Sequence, residues 1–244
     1  MVAMSQKKKK GDFYRISVYH FSNAEQEQRL DGYLEKSLLP ALHKLHYAHV
    51  GIFKPIANDT ATDKRIYVFL KGKTLEQLAG IDEQVFQDPA FTSSAAGYLG
   101  SAHDNPPFTR IETILLSAFR LAPAMNLPGL TSPKADHVYE LRSYEGPTES
   151  KYRSKVHMFN EGGEISLFKR LQFNAVFYAE VVSGSRMPNL MYMTSFENMT
   201  ERDAHWKSFV DDPEWKRLSA LPEYQHTVSK ADIILMRAVP YSDF

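Results

Sequence analysis

Val138-Tyr139-Glu140-Leu141-Arg142-Ser143-Tyr144 and Phe13-Tyr14-Arg15-Ile16-Ser17-Val18-Tyr19 stand about 125 residues apart in the chain. Both runs are rich in aromatic and β-branched residues and have the length of a β-strand. Near the same offset Leu45 falls on Leu171, Tyr47 on Phe173, Val50 on Val176, Tyr67 on Tyr192 and Thr74 on Thr200. Asp88-Pro89-Ala90-Phe91 falls on Asp212-Pro213-Glu214-Trp215, and after a small deletion Ile114-Leu115 falls on Ile234-Leu235. One such pair is chance, but an ordered series across both halves argues for a duplicated unit.

The pattern inside each unit is the same. After the first strand, Leu30, Leu34, Leu38, Leu42 and Leu45 recur at helical spacing, with a kink expected at Pro40. The second unit shows Tyr152, Val156 and Phe159, a break at Gly162-Gly163, then Ile165, Phe168 and Leu171. Two strands follow, over 48–56 and 65–70 in one unit and 175–182 and 190–196 in the other, where Ser183-Gly184-Ser185 suits a hairpin turn. A second helix opens at Thr74 with Gln77, and in the other copy at Thr200 with Asp203. It stops before Asp88-Pro89 or Asp212-Pro213, where the proline suits the first turn of a further short helix. A last strand, 111–119 or 232–239, closes each unit.

The order β-α-β-β-α-β is that of a four-stranded antiparallel sheet with two helices on one face. The other face needs cover, and tandem copies supply it to each other. The fold class expected is therefore α+β: two tandem ferredoxin-like units forming a pseudo-dimeric α+β barrel. The units span 12–120 and 136–244, and a linker over 121–135 holds Pro123, Pro128, Gly129 and Pro133.

Composition narrows the function classes. The chain has 244 residues, 43% hydrophobic and 24% charged, enough apolar material for a packed core. Lys plus Arg and Asp plus Glu are both 29, so no global field argues for a nucleic-acid partner. Without cysteine there is no disulfide, thiol nucleophile or zinc–thiolate site. No stretch approaches the ~20 apolar residues of a membrane span. The run Lys7–Lys10 has no apolar segment after it, so it reads as a solvated tail and not as a signal peptide. The compartment expected is the cytoplasm, or an exported location after loss of a leader.

Val138–Tyr144, then Phe196-Glu197-Asn198-Met199-Thr200-Glu201-Arg202, Trp206, Phe209, Asp212-Pro213-Glu214-Trp215 and the closing Pro240-Tyr241-Ser242-Asp243-Phe244 together resemble the NIPSNAP family. The first half resembles it less closely, since Asp88-Pro89-Ala90-Phe91 lacks the tryptophan. The resemblance implies a dimeric α+β barrel and a protein of unknown biochemical activity, a small-molecule-binding or protein-interaction barrel. It implies no catalytic residues and no cofactor. Related barrels bind haem or oxidise aromatic substrates, so the alternative is a cofactor-independent or haem-dependent monooxygenase or isomerase. His157, His205 or His226 would then serve as ligand or base. A homodimer of the two-unit chain is the assembly considered beside the single chain.

Strand alternation puts Glu140, Arg142 and Tyr144 on one face and Tyr139 and Leu141 on the other; Arg15, Ser17 and Tyr19 oppose Tyr14, Ile16 and Val18. If the more apolar face meets the helices, the polar set points into the barrel. Arg15, Tyr19, Glu140, Arg142, Tyr144 and His157 are accordingly the candidate ligand-binding residues. A structural ion pair between Arg142 and Glu140 is weighed beside that role, because a buried arginine needs an anionic partner. His43, His46 and His49 do not have the spacing of a metal site. Ser183-Gly184-Ser185 lacks a nucleophile-elbow pattern, and Trp206, Phe209 and Trp215 read as core packing.

Overall fold

The eight strands are β1 (Phe13–Phe21), β2 (Gly51–Pro55), β3 (Lys64–Gly72), β4 (Arg110–Ala118), β5 (Val138–Glu145), β6 (Ala175–Ser183), β7 (Asn189–Phe196) and β8 (Lys230–Ala238). The computed structural model describes residues 11–244, so the run Lys7–Lys10 lies outside the described residues. The strands close into one antiparallel barrel in the order β1-β3-β2-β8-β5-β7-β6-β4. Two sets of four therefore meet edge to edge. Phe53 pairs with Ala238 across β2–β8, and Ala118 with Ala179 across β4–β6. Closure removes every free sheet edge and also sets the two inner faces across a common core.

Between β1 and β2 lie α1 (Ala24–Tyr33), a π-helical turn at Leu34–Leu38, and α2 (Leu39–Lys44). The kink expected at Pro40 takes this form. Proline has no N–H to give the carbonyl four residues back and its ring presses on it, so the preceding turn widens. Between β3 and β4 come α3 (Leu75–Ala79), α4 (Ile81–Phe86), α5 (Pro89–Ser94) and α6 (Ala96–Leu99). The second half carries α7 (Glu149–Asn160) and α8 (Glu164–Arg170) before β6, then α9 (Met199–Asp211) and α10 (Pro213–Ser219) before β8. Gly163, at φ 97°, makes the left-handed entry to α8 that separates it from α7.

The caps follow the sequence reading with one correction. Thr74 accepts a hydrogen bond from the Gln77 amide, and Asp88 and Asp212 cap α5 and α10 with proline in the first turn. α9, however, is capped by Asn198, which accepts from the Glu201 amide, so it begins two residues before the expected Thr200. Asn198 has the better cap side chain, and its extended backbone turns the chain off β7.

The core has three layers. Alternate residues of all eight strands fill the barrel, with Phe69 stacked on both Tyr14 and Phe177 and all three ring centres 5.0–5.5 Å apart. Phe244 packs into the same core, 5.5 Å from Phe53. The interior leaves a cavity of only about 50 Å³ at its polar end, beside His20 and Asn189. Outside the barrel, one cluster lies under α1–α5 around Leu30, Leu34 and Phe91, the other under α7–α10 around Phe159, Phe168 and Phe209.

Candidate functional site

Tyr139 and Leu141 belong to the barrel interior, whereas Glu140, Arg142 and Tyr144 face the helices. The expected orientation of the β5 faces is thus inverted, and Arg142 does not enter the barrel. In β1, Tyr14, Ile16 and Val18 likewise point inward, while Arg15 and Tyr19 meet the helical layer. The physical reason is that the barrel interior is enclosed on all sides and supplied by both halves with apolar rings. Its core around Tyr139 and Leu141 is apolar and aromatic, whereas α9 presents Arg202 and Trp206 to Glu140.

Glu140 is fully buried and accepts from three donors. Its Oε1 takes Arg142 Nε at 2.5 Å, and its Oε2 takes Arg202 Nε at 2.7 Å and Trp206 Nε1 at 2.9 Å. This arrangement fixes Trp206 as a plate beneath Arg142, whose guanidinium carbon lies 3.6 Å from the ring centre. Arg142 Nη1 donates to the Tyr144 hydroxyl at 2.8 Å, and that hydroxyl is 3.0 Å from the Tyr192 hydroxyl. Among the described residues Arg142 Nη2 has no hydrogen-bond partner. Burial opposes the charge of Arg142, but Tyr192, Tyr144 and Glu140 outweigh it and hold the guanidinium above its ordinary value. Burial pushes the Tyr192 phenol well above its ordinary value, so it remains protonated.

These groups line a cleft of about 300 Å³ between β5, β7 and the helices α7–α10. Its far side carries Lys155 and Glu164, both nearly sealed from solvent and joined by a 2.8 Å ion pair. Trp206, Phe209 and Trp215 supply aromatic walls. Burial raises the Glu164 carboxyl, and Lys155 only partly offsets it. Around the cleft Arg142, Lys155 and Arg202 are matched by Glu140, Glu164 and Asp203, the last 2.9 Å from Arg202 Nη1.

The remaining sequence candidates lie elsewhere. Arg15 spends its donors on Asp82, the Leu78 carbonyl and Ser17. Tyr19 packs on Tyr33, which stacks on Tyr98 at 3.8 Å in the helical layer of the first half. His157 sits on the exposed side of α7 with Nδ1 2.8 Å from the Tyr224 hydroxyl. His43 pairs with Asp243, 2.8 Å away. Among the described residues no group of three or more His, Asp or Glu side chains is placed to hold a metal ion. None of the three histidines weighed as haem ligands lines the cleft. His157 and His226 are exposed, His205 turns Nδ1 to the Glu201 carbonyl of its own helix, and the cleft offers lysine, arginine and carboxylate but no imidazole.

Sequence reasoning missed Lys155, Glu164 and Tyr192, and took Trp206 as packing only. Lys155 carried a signal: it stands three residues after Tyr152 and four before Phe159, a charge on the apolar stripe of its helix. Glu164 and Tyr192 carried none, because nothing local says which residues two separate elements will bring together.

The segment 121–135 between the halves is pinned to both. Asp12 N donates to the Pro123 carbonyl at 2.7 Å, and Asn126 N to the Val176 carbonyl at 2.9 Å. Glu197 accepts from the Thr131 and Ser132 amides at 2.8–3.0 Å, and with further help from their hydroxyls its carboxyl is held down to about 2.

An antiparallel eight-stranded barrel wrapped by helices, with a cleft of small-molecule size outside it, defines the class: an α+β barrel protein. Solved structures of this architecture match the chain over nearly its whole length. A candidate monooxygenase from Lactobacillus acidophilus NCFM aligns with a TM-score of 0.56 at 12% identity, covering 93% of this chain and 94% of that one. A candidate monooxygenase from Fusobacterium nucleatum subsp. nucleatum ATCC 25586 aligns with a TM-score of 0.54 at 6% identity, covering 94% and 93%. An anthrone oxidase-like protein aligns with a TM-score of 0.51 at 10% identity, covering 95% and 93%. At these identities the likeness is one of fold. The NIPSNAP family model matches residues 139–243, most of the second half of the chain. No curated protein matches the sequence. Among the described residues no helix is long and apolar enough to cross a membrane.

Proposed function

We propose that the protein binds a small aromatic organic anion in the Arg142 cleft, and that its barrel arose from two ferredoxin-like units of which only the second keeps an open site. The observation that carries this reading is Arg142 itself: fixed by Glu140 and Tyr144, stacked on Trp206, and left at the cleft with an Nη2 that has no hydrogen-bond partner among the described residues. A planar fork with an unpartnered donor suits a carboxylate or phenolate, and desolvation strengthens that contact. The aromatic walls suit a ring. Because the barrel interior is filled, the ligand space lies outside it. The order β4-β1-β3-β2 in the first half and β8-β5-β7-β6 in the second supports the two-unit origin, since each is the same permutation of its own strands.

Both tryptophans of the chain line or floor this cleft, so intrinsic fluorescence reports on it. Titration with phenylacetate is expected to change the emission saturably. Arg142→Met should abolish that response while the fold persists, because Glu140 keeps Arg202 and Trp206 as donors. An unchanged phenylacetate response in Arg142→Met, or none in the wild type, would refute the proposal.

A further inference from the structure

We infer that the cleft is also a proton-transfer site, in which the Glu164 carboxylate removes a proton from the carbon next to the carbonyl of an aryl 2-oxo acid held by Arg142. This inference rests on the binding reading above and adds chemistry to it. Glu164 lines the cleft and is 2% exposed. Its Oε2 accepts from Lys155 Nζ at 2.8 Å, while Oε1 has no hydrogen-bond partner among the described residues and is not among the sealed, unpartnered atoms. An acceptor that deep, with one oxygen left to the cleft, is disposed to take a proton from whatever occupies it. Burial makes it more basic than an ordinary carboxylate, and Lys155 and Arg142 oppose part of that rise.

The other wall is built for the oxygen of the resulting enolate. The Tyr144 hydroxyl accepts from Arg142 Nη1, which leaves its own proton to donate to Tyr192 or to a ligand. A fixed guanidinium and a hydroxyl beside developing negative charge favour the enolate over the ketone. The step balances without a co-reactant. The C–H electron pair becomes the C=C bond, the carbonyl π pair moves to oxygen, and the proton goes to Glu164. It returns to oxygen to complete enolisation; for exchange, Glu164 first trades it for a solvent deuteron, which then goes to carbon. Lys155 does not touch the reacting atoms in this scheme and is a positioning residue that sets the basicity of Glu164.

The test is proton–deuterium exchange at the benzylic carbon of phenylpyruvate in deuterated, weakly buffered water, followed by proton NMR with the full-length protein. Phenylacetate binding is measured in parallel by tryptophan fluorescence. Wild type should exchange at least about a hundredfold faster than buffer, and Glu164→Gln should lose that gain while still binding phenylacetate, since a positioned base contributes 10²–10⁴-fold. Lys155→Gln should move the acid limb of the exchange profile to higher pH, because it removes the cation that lowers Glu164. That variant carries the test should Glu164→Gln fail to fold. Wild-type exchange at the buffer rate with phenylacetate still bound overturns the proton-transfer role and leaves the binding reading intact. Absence of both overturns both. Exchange undiminished in folded Glu164→Gln, or an acid limb unmoved in Lys155→Gln, removes Glu164 as the base.

Discussion

Replacing Glu140 by glutamine tests the arrangement on which the cleft stands. The carboxylate accepts from two guanidinium groups and one indole, and it is fully buried. A glutamine can keep its carbonyl on the Arg202 and Trp206 side, but its amide then meets Arg142 Nε donor to donor. The alternative flip sets it against two donors instead of one. At best, then, the variant loses one charge-assisted bond and the only carboxylate facing two buried or half-buried cations. Removing one partner of a buried ion pair costs about 3–5 kcal/mol, and the lower end applies because Arg142 retains the Tyr144 hydroxyl and the Trp206 face. For a chain of this size about 3 kcal/mol corresponds to a fall in Tm of roughly 6–12 °C. Urea unfolding followed by far-ultraviolet circular dichroism should show the midpoint shift with an unchanged slope. Asp82→Asn, which removes the matching acid from Arg15, should cost no more than about 1 kcal/mol, because Asp82 is largely exposed and Arg15 keeps the Leu78 carbonyl and Ser17. Equal losses in the two variants, or a loss below about 1 kcal/mol in Glu140→Gln, would refute the account of Glu140 as the buried anchor.

Three further outcomes are expected. The Glu197 carboxyl, held to about 2, contributes stability that is fully present above the ordinary carboxylate range and is lost as pH falls through about 2. Carbon-13 NMR titration of that carboxyl should therefore show no protonation at pH 4; a midpoint near 4.5 would mean that Thr131 and Ser132 do not bind it. Glu197→Gln should speed amide hydrogen exchange at Thr131 and Ser132 while leaving the β5–β7 amides protected, and equal acceleration at both places would contradict a local clamp. Phe69→Ala, which empties the stack between Tyr14 and Phe177, should cost about 3–5 kcal/mol by chemical denaturation; a cost under about 1 kcal/mol would show the barrel interior to be loosely filled.

Much of the architecture was legible because it is written at short range and twice. The alternation of Tyr14, Ile16 and Val18 against Arg15 and Tyr19, repeated at Tyr139 to Tyr144, marked the first strands, and Asp88-Pro89 and Asp212-Pro213 marked the starts of α5 and α10. Local hydrogen bonding and proline geometry decide those features, so nearby residues suffice to read them. Which side of β5 faces the barrel was not legible. Alternation separates two faces but gives neither an address, and the rule that the apolar face meets the helices failed once both halves closed around one interior. The cleft is likewise a product of tertiary structure. Arg142 and Tyr144 come from β5, Tyr192 from β7, Lys155 from α7, Glu164 from α8 and Trp206 from α9, each separated from the next by turns and packing angles that no single segment encodes. The first half shows the same limit from the other side. There Ser17 stands at the place of Arg142, and Tyr19, at the place of Tyr144, packs on Tyr33, which stacks on Tyr98. The sequence alone determined the order of strands and helices and most of their places, because those are properties of local backbone and periodicity. Only the tertiary structure decided where a cleft is left open, because an unfilled volume depends on how side chains distant in sequence pack against one another.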